Sequence, residues 1–351
     1  MSCTLLFACR GYKTRFLHCW LACSIVAATL IPAVQAQDET QQLTEIQTLL
    51  AADKNDEAIE RLQALSAQFP AMKGISRQLG LAYYRKKDFL RAATRLKRAI
   101  EEDPSDKDSV QLLGLSYYFS GRPAEAIPPL EQVRSWRPKS NMDAAYVLGL
   151  CYLLTKNNYQ ARKIFSELYD VRPESAAAHL IAASMLVRQG FDPTAEEEAK
   201  KALALEPRLP MAHFVLGQVY LYRSRITEAI AEFQRELEIN PKFGSSYSRL
   251  GDAYLRAGKY DDAERALQNS IWLDSTNSEA YVLMGRTQLK KGQVQMAERT
   301  LLRAVTLDSN DYQAHLLLGQ IYRQLGKLNL AQRELQIGAE LQHTQTQNAA
   351  R

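Results

Sequence analysis

Cysteine is scarce in the part of this protein that is expected to fold. Four of its five cysteines lie within the first 23 residues, and Cys151 stands alone in the rest of the sequence. One thiol cannot form an internal disulfide. The main part of the chain is therefore expected to hold together by packing rather than by covalent cross-links.

Catalytic and cofactor-binding motifs are also missing. The sequence contains no H-E-x-x-H, G-x-S-x-G or P-loop motif. His179, His213 and His315 stand 34 residues or more apart, so they cannot form the i,i+4 pair of a helical metal site. We therefore expect a protein that is not an enzyme and has no catalytic residue, cofactor or metal site. The three histidines are expected to serve packing, and Cys151 is expected to be a buried thiol.

Acidic residues are absent from the first 37 positions. Arg10, Lys13 and Arg15 precede a long apolar run, and the small residue Ala36 then precedes a polar, acidic stretch. This order predicts a secretory signal peptide over residues 1–36, with an uncleaved signal anchor as the alternative. Both place the rest of the chain outside the cytoplasmic membrane, as a periplasmic or secreted protein or as an inner-membrane-anchored protein facing outward.

The chain also lacks a strong excess of charge of one sign. Without residues 1–36 it has 41 basic and 39 acidic residues, whereas nucleic-acid-binding proteins usually show a larger basic excess. No nucleic-acid partner is expected. One segment is an exception, because Arg91, Arg95 and Arg98 fall on one side of a predicted helix. This side is either a solvated surface or a contact with anionic lipid headgroups or an acidic partner.

The sequence contains nine copies of one repeated pattern. Alanines recur every 34 residues with a single step of 35, at positions 58, 92, 126, 161, 195, 229, 263, 297 and 331. Each period holds two helical patterns separated by a break such as Gly258, with Gly251 and Ala263 where the two helices must approach closely. A unit this short buries its apolar face only by stacking on neighbours. The period predicts an all-α array of nine helix–turn–helix units over residues 39–345, followed by a polar tail at residues 346–351.

The repeat resembles the tetratricopeptide repeat (TPR) family. The third unit carries the family's pattern at Leu113, Gly114, Tyr117, Ala126, Leu130 and Pro138. The first unit departs most, with Ile46 and Leu49 in place of Gly and Tyr, which suits a terminal capping unit. The resemblance implies a solenoid of helix hairpins that forms a right-handed superhelix, with a concave groove lined by the first helices. The clamp with which some family members bind chaperone tails is missing from the corresponding positions, so such tails are not expected as partners.

Helical geometry assigns a candidate binding surface in that groove. The face of each first helix opposite to the hairpin core should point into the concavity. The candidate partner-binding residues are Tyr118, Phe119, Tyr146, Leu150, Phe214, Tyr222, Arg249, Asp252, Arg256 and Arg286. Their types predict a groove that is aromatic and apolar in the middle and basic towards the C-terminus. For Tyr118, Tyr146 and Phe214 the alternative is packing against the neighbouring unit, and for the arginines it is a solvated surface.

The sequence thus favours a non-enzymatic scaffold or adaptor that binds a segment of another protein in the groove. By family analogy its context would be envelope assembly, secretion or polysaccharide export. The alternative is an exported binding module or carrier for a glycan or another small ligand, which the aromatic middle of the groove also allows. Neither the partner's identity nor the oligomeric state follows from the sequence.

Overall fold

The computed structural model describes residues 41–70, 72–136, 142–190 and 193–349. The predicted signal peptide or anchor lies outside these ranges. Within them the chain forms eighteen α-helices and no β-strand. The helices are α1 (residues 41–51), α2 (Asn55–Gln68), α3 (Ile75–Arg85), α4 (Phe89–Glu102), α5 (Lys107–Phe119), α6 (Pro123–Trp136), α7 (Met142–Leu154), α8 (Asn158–Leu168), α9 (Ala176–Arg188), α10 (Thr194–Leu205), α11 (Ala212–Tyr222), α12 (Ile226–Ile239), α13 (Gly244–Arg256), α14 (Tyr260–Leu273), α15 (Ser278–Lys290), α16 (Val294–Leu307), α17 (Tyr312–Gln324) and α18 (Leu328–Ala349).

The helices follow one another as nine hairpins, as the 34-residue period predicts. Odd-numbered helices are the first helices of each repeat, and even-numbered helices are the second helices. The helix α18 has 22 residues where α16 has 14. It continues through the predicted polar tail as far as Ala349, so residues 346–349 extend the last helix. No helix of the described ranges is both long and apolar enough to span a membrane.

The chain divides into two compact units, the first ending at Leu148 and the second beginning at Gly149. In the first unit, one core joins the early repeats through buried side chains such as Ile46, Leu62 and Leu79. In the second unit, the buried cores contain Phe233 and Leu301 among others. Within each unit, each repeat buries apolar surface against the next, as expected for a stacked array.

A glycine allows the two helices of most hairpins to approach closely. A Cβ atom added to Gly251 would lie 2.5 Å from Cγ of Leu267, which is far inside normal contact distance. The corresponding distance is 2.6 Å at Gly80, Gly114, Gly149 and Gly319, 2.7 Å at Gly217 and 2.5 Å at Gly285. In the fifth repeat, Ala183 takes the position of the glycine, and Ala199 takes the position of the large side chain that faces it. Both alanines are fully buried. The periodic small residues are therefore fixed by packing, as the sequence predicts.

The turn inside each hairpin contains one residue in the left-handed backbone region. Gly121, Gly190, Gly258, Gly292 and Gly326 supply it in five repeats, with φ between 72° and 110°. In the other four repeats the residue is Asp53, Lys87, Lys156 or Ser224, with φ between 58° and 61°. A side chain at this backbone conformation costs about 1 kcal/mol relative to glycine. Tertiary packing of the two flanking helices therefore imposes this turn even where the sequence does not favour it.

Side-chain caps and prolines mark where the hairpins begin and end. The Asp106 carboxylate accepts from the backbone N–H of Ser109 at 3.2 Å, and Asp311 accepts from that of Ala314 at 3.1 Å. Such caps satisfy N–H groups that the first turn of a helix leaves unpaired. Pro104 and Pro207 follow the ends of α4 and α10, where a helix cannot continue through them. The caps mark where first helices begin, and the outer faces of the first helices carry the candidate site.

Candidate functional site

The candidate site is the face of the first helices that points away from their hairpin partners, called here the groove face. Its most exposed position is the last residue of each first helix or its equivalent. In the first unit this position holds Phe119, and in the second unit it holds Leu154, Arg188, Tyr222, Arg256 and Lys290 in successive repeats. Phe119, Leu154 and Tyr222 are exposed to 47%, 44% and 60%. These apolar side chains are accessible to a partner.

Two of the predicted groove residues belong to the core. Leu150 is 3% exposed and Phe214 is 8% exposed. The Phe214 ring packs against Phe233 in its own hairpin, with centroids 5.9 Å apart, and against Phe243 at the start of the next repeat, at 4.9 Å. The prediction that these two side chains face a partner is therefore wrong, and for Phe214 the alternative of packing between repeats is correct. The other predicted aromatic residues remain accessible, with Tyr118 and Tyr146 half-buried.

In the first unit, Phe119 belongs to a cluster of four aromatic rings. Its ring stacks on Phe89 at 5.0 Å and meets the edges of Tyr118 at 5.2 Å and Tyr84 at 6.3 Å. Such contacts hold the exposed ring in one orientation. Burial, with a smaller contribution from Asp143, raises the pKa of the Tyr84 hydroxyl, which therefore stays protonated. Tyr84 was not among the predicted residues, although it lies 34 residues before Tyr118 at the same repeat position.

The charged end of the candidate site is more acidic than predicted. The Arg256 guanidinium donates to the buried Asp252 carboxylate at 2.8 and 3.2 Å, and Arg249 donates to Glu279 at 2.7 Å. By contrast, the exposed Arg286 has no ion pair or hydrogen bond to another part of the chain that the structure describes. Arg249 and Arg256, two of the three arginines predicted to contact a partner, are thus already paired with neighbouring carboxylates.

These residues line an open cavity of about 450 Å³ formed by α13, α15, α17 and the end of α18. Its charged lining consists of Arg249, Asp252, Arg256, Glu279, Arg286, Asp308 and Asp311. Four carboxylates therefore face three guanidinium groups, and the expectation of a basic groove end is corrected. The three acids that the analysis missed stand near the starts of α15 and α17, whereas the prediction considered the middle of each helix. Gln345 of the extended α18 also borders this cavity.

The three periodic histidines each contact a glutamate of the second helix, nineteen residues further along. Nδ1 lies 2.7 Å from Glu198 at His179, 2.6 Å from Glu232 at His213 and 2.6 Å from Glu334 at His315. Each pair therefore joins the two helices of one hairpin, which explains the shared repeat position by structure. Within the described ranges, no group of three or more His, Cys, Asp or Glu side chains is arranged to hold a metal ion.

The pair of His213 and Glu232 predicts that the stability of the fold depends on pH. The hydrogen bond that His213 donates to the Glu232 carboxylate outweighs the opposing effect of burial and raises the pKa of His213 above its ordinary value of about 6.5. The charged pair stabilises the fold fully below that ordinary value, and the contribution is lost as pH rises through the raised pKa. We expect the denaturation midpoint of Glu232→Gln to fall further below that of the unaltered protein at about pH 6 than at about pH 9. An equal difference at both pH values would contradict this account.

Cys151 gives a second prediction. Its side chain is fully buried, and burial raises the pKa of the thiol to about 12. Because the thiolate is the reactive form, the folded protein should not react with a thiol reagent such as 5,5′-dithiobis(2-nitrobenzoate). The same thiol should react fully in denaturant. Rapid labelling of the folded protein would show that α7 opens or that Cys151 is accessible.

Stacked helix hairpins with an exposed first-helix face define a helical-repeat protein. Four family models, each described as a tetratricopeptide repeat, match the chain. The matched residues are 43–107 and 186–242, 120–184 and 254–311, 232–265, and 312–336. These matches extend over most of the described residues, and the chain belongs to the tetratricopeptide repeat family. No curated protein matches the sequence.

Solved structures with a similar fold are also TPR proteins. One, from a functional characterisation of Pseudomonas aeruginosa pilF, is 22% identical, with 59% of this chain and 97% of that chain covered and a TM-score of 0.46. YrrB, described as a TPR protein with an unusual peptide-binding site, is 21% identical over 48% of this chain and 87% of its own, with a TM-score of 0.41. A chain of the Cut9–Hcn1 hetero-tetramer is 17% identical, with 80% of this chain but only 55% of that chain covered and a TM-score of 0.45. These likenesses concern the fold alone.

Proposed function

We propose that this protein is an exported, non-enzymatic scaffold that binds an extended segment of another protein along the groove face. The observation that carries the proposal is the exposure of large apolar side chains at one repeated position, Phe119 in the first unit and Leu154 and Tyr222 in the second, each more than two-fifths exposed. TPR proteins generally mediate protein–protein interactions, which supports the same reading. An array of this kind gains affinity by summing modest contacts along its length.

Export and cellular context are further parts of this proposal. The acid-free, apolar N-terminal segment of residues 1–36 supports export through a signal peptide or signal anchor. An exported scaffold of this family suits envelope assembly, secretion or polysaccharide export. Fractionation of cells that produce a C-terminally tagged protein tests this part. Recovery in the cytoplasm at full length would contradict export without bearing on the groove face.

The alternative function is a carrier or binding module for a glycan or another small ligand. The four-ring cluster around Phe119 favours it, since sugar rings pack on exposed aromatic faces as apolar peptide side chains do. Native mass spectrometry of the purified protein separates the two functions. A retained small-molecule mass that Phe119→Glu abolishes would support the carrier, and a mass of the chain alone would count against it.

Affinity capture with matched variants tests the scaffold function. Phe119→Glu together with Tyr222→Glu places two charges on the groove face without altering a core residue. Trp272→Glu together with Leu205→Glu is the control, because these side chains are 81% and 58% exposed on second helices. We expect captured partners to be lost from the groove-face variant and kept by the control. Identical partners for both variants, with both folded, would contradict the proposal.

A further inference from the structure

A second candidate site lies on the second helix of the second repeat, away from the groove face. A cavity of about 470 Å³, called here the α4 cavity, is lined by Tyr83, Arg91, Thr94, Arg95, Lys97, Arg98 and Glu101. Six of these residues belong to α4, and Tyr83 comes from α3. Four cationic side chains therefore share this cavity with one carboxylate.

The charge of the α4 cavity distinguishes it from three other cavities of the molecule. The cavity near Lys73 and Asp106 has two cationic and three acidic side chains in its lining. The cavity between Gln42 and Gln68 has one cationic and one acidic side chain in its lining. The cavity of α13, α15 and α17 has three cationic and four acidic side chains. In none of these do cations outnumber acids. A local surplus of cationic side chains raises the local concentration of anions.

Arg91 and Arg98, two of the four cationic side chains, are held in place by neighbouring groups, one at each end of the α4 cavity. The Arg91 Nε atom donates to Asp88 at 2.6 Å, and the Arg91 guanidinium lies 5.0 Å from the centre of the Tyr83 ring. The Arg98 Nε atom donates to Glu102 at 3.2 Å. Since a guanidinium has five N–H donors, these contacts orient each group and leave N–H donors for another acceptor.

Arg95 lies between these two on the same side of α4 and is not neutralised. It is half-buried, and it has no hydrogen bond or ion pair within the described part of the chain. The exposed Lys97 likewise has none there. A partly desolvated guanidinium without an acceptor is unfavourable unless an anion supplies one. The row of Arg91, Arg95 and Arg98, at spacings of four and three residues, presents three such groups along one line.

We propose that the α4 cavity binds a compact, multiply phosphorylated small ligand. Arginine pairs with phosphate oxygens through two parallel hydrogen bonds, and several phosphoryl groups match the surplus of cations better than one. The volume lies in the range of small-molecule sites. Tyr83, which is 4% exposed, is the buried member of the lining. Lipid headgroups carry the same phosphoryl chemistry, and the vesicle measurement below distinguishes them from a free ligand.

The Tyr83 hydroxyl adds a neutral contact. It accepts a hydrogen bond from the Gln63 side-chain amide at 3.0 Å, which fixes the ring from the side of α2. A hydroxyl that accepts one hydrogen bond still has a proton to donate. Tyr83→Phe removes that donor and keeps the ring on which Arg91 lies. We expect it to weaken ligand binding by several-fold without altering the circular dichroism spectrum.

Isothermal titration calorimetry of the purified full chain with tripolyphosphate tests the proposal. We expect tripolyphosphate to bind at least about tenfold more tightly than orthophosphate, and Arg95→Glu with Lys97→Glu to weaken it by about tenfold or more. The control is Arg299→Glu with Arg303→Glu on α16. It makes the same change in net charge at two exposed arginines without a partner in the described ranges, and it should leave the affinity within about twofold.

Each other result overturns the proposal. Absence of tripolyphosphate binding would show that the cavity is a solvated surface. Equal weakening by both charge-reversal pairs would show a long-range charge effect. Binding to phosphatidylcholine vesicles that contain phosphatidylglycerol, lost with Arg95→Glu and Lys97→Glu, without tripolyphosphate binding would make this surface a membrane contact. Because the site is separate from the groove face, none of these results bears on the proposed scaffold function.

Discussion

Leucine in place of Gly217 should unfold the sixth repeat under conditions in which the unaltered protein is stable. A Cβ atom at this position would already lie 2.7 Å from Cε1 of Phe233, and leucine adds three more carbon atoms. The Phe233 side chain is fully buried and packs in turn on Phe214. The helices α11 and α12 must separate, so the substitution combines overpacking with lost burial of aromatic surface. The expected loss of stability is about 3 kcal/mol or more.

Hydrogen exchange measured by mass spectrometry should locate this effect. Since each repeat contacts mainly its neighbours, protection should fall first in α11 and α12 and in the adjoining helices α10 and α13. Gly244→Ala is the matched control, because its added Cβ meets nothing closer than 3.5 Å, at Cβ of Leu273. An unchanged denaturation midpoint together with unchanged exchange in Gly217→Leu would contradict the close-approach geometry.

The second large effect concerns a buried ionic network in the fourth and fifth repeats. Arg162 is 8% exposed, and its guanidinium contacts both oxygens of Glu198 at 3.3 Å, Glu174 at 3.0 Å and the carbonyl of Pro173 at 3.0 Å. Glu198 is 3% exposed and also contacts His179 at 2.7 Å. Arg162→Met removes the guanidinium and leaves the buried carboxylate with His179 at 2.7 Å and Lys201 at 3.6 Å. The expected cost is about 3–5 kcal/mol.

A double-mutant cycle distinguishes the stranded charge from lost packing. Adding Glu198→Gln to Arg162→Met removes the uncompensated charge, so the double variant should be more stable than Arg162→Met alone. Arg265→Met serves as the control, because Arg265 makes its ion pair with Asp262 at a side chain that is 75% exposed. Its denaturation midpoint should hardly change. A double variant that is less stable than Arg162→Met would show that Glu198 does not carry an uncompensated charge.

The regularity of the sequence explains how much of the fold it predicts. The 34-residue period predicts every hairpin, and it identifies close-packed positions such as Gly251 and the buried alanines because packing fixes their size. It did not reveal the left-handed turn residues Lys87 and Lys156, since lysine gives no signal for that backbone conformation. The residue type at a repeated position thus predicts structure only where close packing restricts which residues fit.

The candidate site was predicted less well because it depends on contacts between repeats. Helical geometry placed Phe214 on the groove face, but Phe243 of the next repeat covers it. The same reasoning identified Arg249 but not its partner Glu279, which contacts it from the start of the next first helix. A face defined on one isolated helix says which side chains point outward, whereas burial and charge depend on what the neighbouring repeat supplies.

Site-specific photo-crosslinking in intact cells tests the central claim, that the groove face binds a segment of another protein, most directly. A photoreactive phenylalanine analogue would replace Phe119, Leu154 or Tyr222 on the groove face, and Trp272 on a second helix as control. We predict that the groove-face positions capture one common protein, through successive peptides of that protein, and that position 272 does not. Capture of the same protein with equal yield at position 272, or no protein common to the groove-face positions, would contradict the claim.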